Sequence, residues 1–188
     1  RAMRRLTETA AAETDARFSP RGRYVSFVRE QNLYVIDLTS GEERAITQGG
    51  AGVLSFGMAE FIAQEEMDRS TGYWWSPDET KLAYTRVDES PVDEVERFEI
   101  YAETVKVIRQ RYPAAGRANA KVDLFVATLT NRGIEARELS AASAGDGYLA
   151  RVNWLPDSQS LAVQRQARDQ QFLELLRIDV ATGTTKRL

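Results

Sequence analysis

The sequence predicts an all-β fold, a partial β-propeller of about three four-stranded antiparallel blades, and three observations carry that expectation. A turn-and-strand unit recurs as FSPRGRYVSFV (18–28), WSPDETKLAYT (75–85) and WLPDSQSLAVQ (154–164). Each is followed by a strand, a glycine turn and a returning strand: NLYVIDLTSGEERAIT (32–47), VDLFVATLTNRGIEARELS (122–140) and QFLELLRIDVATGTTKRL (171–188). The whole four-strand unit therefore repeats, which is the plan of a propeller, whereas a β-sandwich, the competing arrangement, gives no reason for it.

Taken in order, MRRLT (3–7) resembles the closing ERAIT, ARELS and TKRL, so residues 1–14 read as the end of a preceding blade and a linker. An opening of RAMRRL is what is expected of a chain that begins inside a longer protein. The first blade covers 15–47. YVSFV, KLAYT and SLAVQ alternate as half-buried strands do, and Pro20, Pro77 and Pro156 preset φ for the turn before each. Gly41, Gly133 and Gly183 stand where the following hairpins call for positive φ. Residues 48–71 form a loop insert with a short helix. The second blade covers 72–140 and carries a long insert at 87–121, and the third blade covers 141–188. In that long insert Phe98, Tyr101, Val105 and Ile108 fall at helical spacing, while β-branched Val105, Val107 and Ile108 favour strand. The preferred reading is an extended, projecting, hairpin-like arm.

Composition narrows the chemistry. A net charge of -3 and a pI near 5.2 give no electrostatic case for nucleic acid or an anionic membrane surface. No apolar run approaches the length of a membrane span. Histidine and cysteine are both absent, so these 188 residues hold no Ser-His-Asp triad, thiol nucleophile or thiolate metal site. The nearest approach to a nucleophile elbow, GVLSFG (52–57), has the wrong glycine spacing and no base. No catalytic residue, metal or cofactor is assigned.

The chemical interest lies in AEFIAQEEMDR (59–69). Its good helix formers, with no glycine or proline, predict a helical turn that Phe61, Ile62 and Met67 can anchor. On such a turn Glu65 and Glu66 lie about 100° apart and can converge on one small ligand. Two carboxylates suit an ammonium ion, with its three donors and single positive charge. A glycosidase pair must stand roughly 5–9 Å apart across a bond, which adjacent residues rarely manage. A calcium site with Asp68 is conceivable, yet the alternating spacing of calcium loops is missing. The bland alternative is a solvated acidic surface, the reading given to Glu42-Glu43, Asp78-Glu79, Asp88-Glu89 and Asp93-Glu94. Likewise Trp74 and Trp75 read as core or interface packing, and Arg117 as a surface arginine.

FIAQEEMDRSTGYWWSPDETKLAYTRVDESPV (61–92), followed by QRYPAAGRANAKVDLFV (110–126), resembles the propeller domain of the dipeptidyl peptidase IV family of serine peptidases and its bacterial members. The resemblance covers nearly all of residues 15–188. It implies an eight-bladed, open propeller capping an α/β-hydrolase domain of the same parent chain. It also implies an exopeptidase that releases X-Pro or X-Ala dipeptides, with Glu65 and Glu66 holding the free α-ammonium of the peptide substrate. The resemblance matches the insert 87–121 to the family's dimer-forming arm, so a homodimer of the parent is expected. Family analogy places the parent in the periplasm or outside the cell. The triad has no counterpart here, and the propeller arginine that touches substrate is assigned to no residue. A non-enzymatic, protein-binding propeller is the other class, and a Gly-x-Ser-x-Gly elbow in the parent would separate the two.

Overall fold

The computed structural model describes residues 3–188, and its strands build a partial β-propeller of three successive antiparallel sheets. The first sheet runs β1 (Glu13–Phe18), β2 (Tyr24–Arg29), β3 (Asn32–Asp37) and β4 (Glu43–Ala45) in sequence order. The second takes β5 (Leu54–Phe56), β6 (Tyr73–Trp75), β7 (Lys81–Asp88), β10 (Lys121–Thr130) and β11 (Gly133–Glu138). Between β7 and β10 the chain leaves the sheet as a separate hairpin, β8 (Glu94–Ile100) with β9 (Val105–Arg111). The third sheet runs β12 (Tyr148–Trp154), β13 (Ser160–Gln166), β14 (Leu173–Asp179) and β15 (Thr185–Arg187). The turn glycines behave as the hairpins require, with Gly41 at φ 78° and Gly183 at φ 77°.

The long insert is extended. Ile100 lies opposite Val105, Phe98 opposite Val107 and Arg97 opposite Ile108, so β-branched residues gain cross-strand partners that a helix would deny them. The segment 48–71 is a loop with one short helix, Phe61–Glu65. It also contributes β5, which pairs with Arg86–Asp88, while β6 pairs with Leu82–Tyr84. β7 is eight residues long and β6 only three, so the rest of its inner edge needs a second partner. A three-residue strand is too short for alternation to reveal.

Alternation decides how the sheets stack. On the central sheet, Leu82 and Tyr84 of β7 and Ala127 of β10 pack toward the first blade against Tyr24, Val28, Leu33 and Val35. Ala83 and Val87, with Val122, Leu124 and Val126, pack toward the third blade against Leu149, Val152, Leu161 and Val163. One strand thus serves two cores by sending alternate side chains each way. The tryptophans tie the inner strands across blades. Trp75 stacks on Tyr24 at 5.3 Å and its Nε1 donates to Ser26 Oγ at 2.9 Å, while Trp154 Nε1 donates to the Trp74 carbonyl at 2.9 Å.

The three proline turns share a further feature: Gly22, Glu79 and Ser158 occupy equivalent places and all have positive φ, at 78°, 63° and 55°. Holding a non-glycine residue there costs about 1–3 kcal/mol. Both side chains that accept it bridge blades. Ser158 Oγ accepts from the Asp78 N–H at 3.1 Å, and Glu79 Oε1 accepts from Ser19 Oγ at 2.5 Å and the Arg21 N–H at 2.6 Å. Asp78-Glu79 is therefore not a solvated doublet, because Glu79 is buried against the first blade, where those donors satisfy its charge. Burial raises the Glu79 pKa, but the bonds from Ser19, Arg21 and Arg23 outweigh it and leave the carboxyl below its ordinary value. A carboxyl depressed on folding stabilises above its unfolded pKa, about 4.3, and that contribution disappears as pH falls through the folded value. Glu79→Gln is expected to lower stability by about 1–3 kcal/mol at pH 7 and by much less at pH 3, as read from urea midpoints. An equal loss at both pH values would show that the charge is not what the turn uses.

Candidate functional site

The acidic doublet stands on an excursion from the inner edge of the second blade. The chain departs after β5 and returns just before β6, and the two limbs are pinched together by a Met58–Thr71 bridge. Gly72 N–H donates to the Gly57 carbonyl at 3.2 Å, and Thr85 Oγ1 donates to the Met58 carbonyl at 2.6 Å. Gly72 is required at this pinch, because a Cβ there would lie 2.3 Å from the Met58 carbonyl oxygen. In a complete propeller the innermost strands border the central channel.

The excursion contains one helical turn, α1 (Phe61–Glu65), with Glu60 before it and Glu66 as its C-terminal cap, whose N–H donates to the Ile62 carbonyl at 2.9 Å. Ala63 is fully buried and fixes the inner side of the turn. Phe61 packs edge-on against Tyr112 at the root of the β8–β9 arm, with ring centroids 5.2 Å apart. Met67 and Ile62 are half-buried, so the anchoring rests on Ala63 and Phe61 at least as much as on them. Asp68 then takes φ 49° and turns the chain back, so that the Arg69 N–H reaches the Ala63 carbonyl at 2.9 Å.

Glu65 and Glu66 sit at the tip of this turn, both exposed. Neither makes an ion pair or a side-chain hydrogen bond to any described residue. Two uncommitted carboxylates thus stand side by side at the tip of the turn. Among the described residues no three acidic side chains gather as metal ligands would.

Two residues of the excursion carry no sequence signal of their role. Glu60 and Arg69, 6% and 5% exposed, form an ion pair with Arg69 Nη2 2.8 Å from Glu60 Oε2. Beside them a tight cavity is lined by Glu60, Phe61, Glu89, Arg111, Asn119 and Tyr148, with space for about one water molecule. Glu89, in a doublet expected to be solvated, is not so placed. It is half-buried there, its pKa raised first by burial and further by Glu60, with Arg111 opposing. Arg117 is a surface residue paired with Asp93 at 2.8 Å. The arm beyond carries an exposed apolar strip among charged residues: Ile100 is 79% exposed, and Phe98, Val105 and Val107 are all more than half exposed.

Comparison with known proteins gives this geometry its context. The family profile described as "Dipeptidyl peptidase IV (DPP IV) N-terminal region" matches residues 1–188. Dipeptidyl aminopeptidase A of Saccharomyces cerevisiae is 30% identical over 151 residues, covering 76% of this chain and 16% of that protein. The inactive dipeptidyl peptidase 10 of Mus musculus is 28% identical over 178 residues, covering 92% of this chain and 22% of that protein. The crystal structure of Porphyromonas gingivalis dipeptidyl peptidase 4 superposes with a TM-score of 0.87 at 26% identity, covering 97% of this chain and 26% of that one. The chain spans about a sixth to a quarter of the length of these relatives.

Proposed function

This chain belongs to the dipeptidyl peptidase IV family, and on that premise we propose that it is the substrate-gating, N-terminus-recognising part of a serine dipeptidyl peptidase. Glu65 and Glu66 receive the α-ammonium group of a peptide. Fixing that group leaves room for two residues before the scissile bond, so the parent releases dipeptides, with proline or alanine second. The nucleophile and base come from an α/β-hydrolase domain of the parent, since residues 1–188 contain no histidine. The observation that carries this reading is the pair of exposed, unpartnered carboxylates on an excursion of the inner blade edge.

The arm enters the same proposal as a contact between two copies of the parent. Its exposed Phe98, Ile100, Val105 and Val107 form an apolar strip on a two-stranded sheet with no third strand. A second reading, a propeller that binds proteins without cleaving them, is favoured by the likeness to the inactive mouse relative.

Blocking the amine tests the recognition step directly. In the full-length protein, kcat/KM for an Ala-Pro chromogenic amide is expected to fall by at least two decades when the same peptide is N-acetylated, because the charge-assisted bonds are lost. Similar rates for free and acetylated peptides would remove the ammonium from the mechanism.

A further inference from the structure

We propose that the buried Glu60–Arg69 ion pair is the positioning device of the doublet, tying the entry of the excursion to its exit and so fixing where Glu65 and Glu66 stand. The proposal rests on the reading of the doublet as an ammonium site.

The pair occupies the two ends of the turn. Glu60 is the residue before α1, and its side chain does not cap the helix; it reaches across to Arg69 instead. Arg69 in turn makes three attachments. Nη2 donates to Glu60 Oε2 at 2.8 Å, Nη1 donates to the Thr71 carbonyl at 2.9 Å, and its guanidinium lies 6.0 Å from the Trp74 ring centre. The planar fork is what allows one side chain to reach the entry limb and the exit limb together. Burial pulls the Arg69 pKa down and Glu60 opposes that pull, while the charge of Arg151 on β12 adds to it.

A one-turn helix of five residues cannot hold its own geometry, because nucleating a helix fixes more dihedrals than its first hydrogen bonds repay. The tip from Gln64 to Glu66 is exposed, and among the described residues its one side-chain tie is Gln64 Nε2 donating to the Ala59 carbonyl at 2.5 Å, so Glu65 and Glu66 take their placement from the base. The base is costly in the way that marks a specificity device. Desolvating two charges is rarely returned by their attraction, and an apolar pair of similar volume would stabilise as well or better. Glu60 Oε1 and Arg69 Nε are both buried and make no hydrogen bond to any described protein group. What it supplies that an apolar pair would not is a directional, two-limb tie.

The test is made in the full-length protein with Ala-Pro chromogenic amide, free and N-acetylated. Arg69→Lys keeps the charge but loses the fork. It is expected to raise KM for the free peptide about threefold to tenfold, with kcat changed less than KM. The paired variant Glu60→Met with Arg69→Met removes both charges and keeps the volume. Its thermal midpoint is expected to stay near that of the parent, while the preference for free over acetylated peptide falls at least tenfold. A structural lesion would lower both substrates together and leave that preference intact, and this outcome, or an unchanged KM in Arg69→Lys, overturns the proposal. If the paired variant does not fold, Arg69→Lys decides alone. If Glu65→Gln with Glu66→Gln leaves the preference unchanged, the ammonium reading itself has failed, whatever the ion pair does.

Discussion

Glu65→Gln combined with Glu66→Gln is expected to lower kcat/KM of the full-length protein for free-N-terminal dipeptide amides by roughly two to four decades. Each charge-assisted hydrogen bond to a desolvated ammonium contributes about 1.5–3 kcal/mol, so losing two costs about 3–6 kcal/mol, and about 1.4 kcal/mol is a factor of ten. Glutamine keeps the length and one acceptor oxygen, so the loss reports charge rather than shape. Both side chains are exposed and uncommitted, so the substitutions break no internal bond and the thermal midpoint should stay within about 1 °C of the parent. A small active ester without an ammonium group should turn over at the parental rate. Steady-state kinetics on the two substrates check this directly: equal losses on both would make the doublet structural.

The second large effect lies in the core. Leu124→Ala is expected to destabilise by about 2.5–5 kcal/mol, the range for a buried leucine that leaves a cavity. Leu124 is fully buried on β10, at the interface between the second and third blades, among Val126, Leu149, Val152, Leu161 and Val163. Those neighbours belong to two sheets held apart by their own hydrogen-bonded ladders, so collapse around the missing methyls is resisted and the upper part of the range applies. Glu135→Ala on β11 is the control: its side chain is exposed, so the change should alter stability by less than about 0.5 kcal/mol. Urea midpoints at unchanged slope measure both. A loss below about 1 kcal/mol at Leu124 would mean that the two blades are not packed as described.

The difference between those positions was legible in part. Alternation in KLAYT marked β7 as a strand with two faces, and the repeat of that pattern after each Pro turn gave the sheets. The extended arm followed from Val105, Val107 and Ile108, whose branched Cβ atoms find partners across a hairpin. Glu65 and Glu66 stood out because helix formers with apolar neighbours surround them. Glu79 and Glu89 did not. Each lies in an acidic doublet with the composition of a solvated turn, and neither residue's neighbours in the chain reveal the Ser19 hydroxyl or the cavity beside Arg111 that receives it.

The sequence by itself determined the repeating four-strand units, their turns and the charge available at the excursion's tip. These are properties of neighbouring residues: φ preference at proline and glycine, alternation along a strand, and two like charges side by side on a turn. Only the tertiary structure decided that β5 shares the inner edge of β7, that Gly72 passes against Met58, and that Arg69 closes the turn onto Glu60. Each of these joins residues that the chain brings together only after the sheets have formed. A buried glutamate has the same local sequence pattern as an exposed one, because desolvation is a property of everything packed around a side chain and not of the residues next to it.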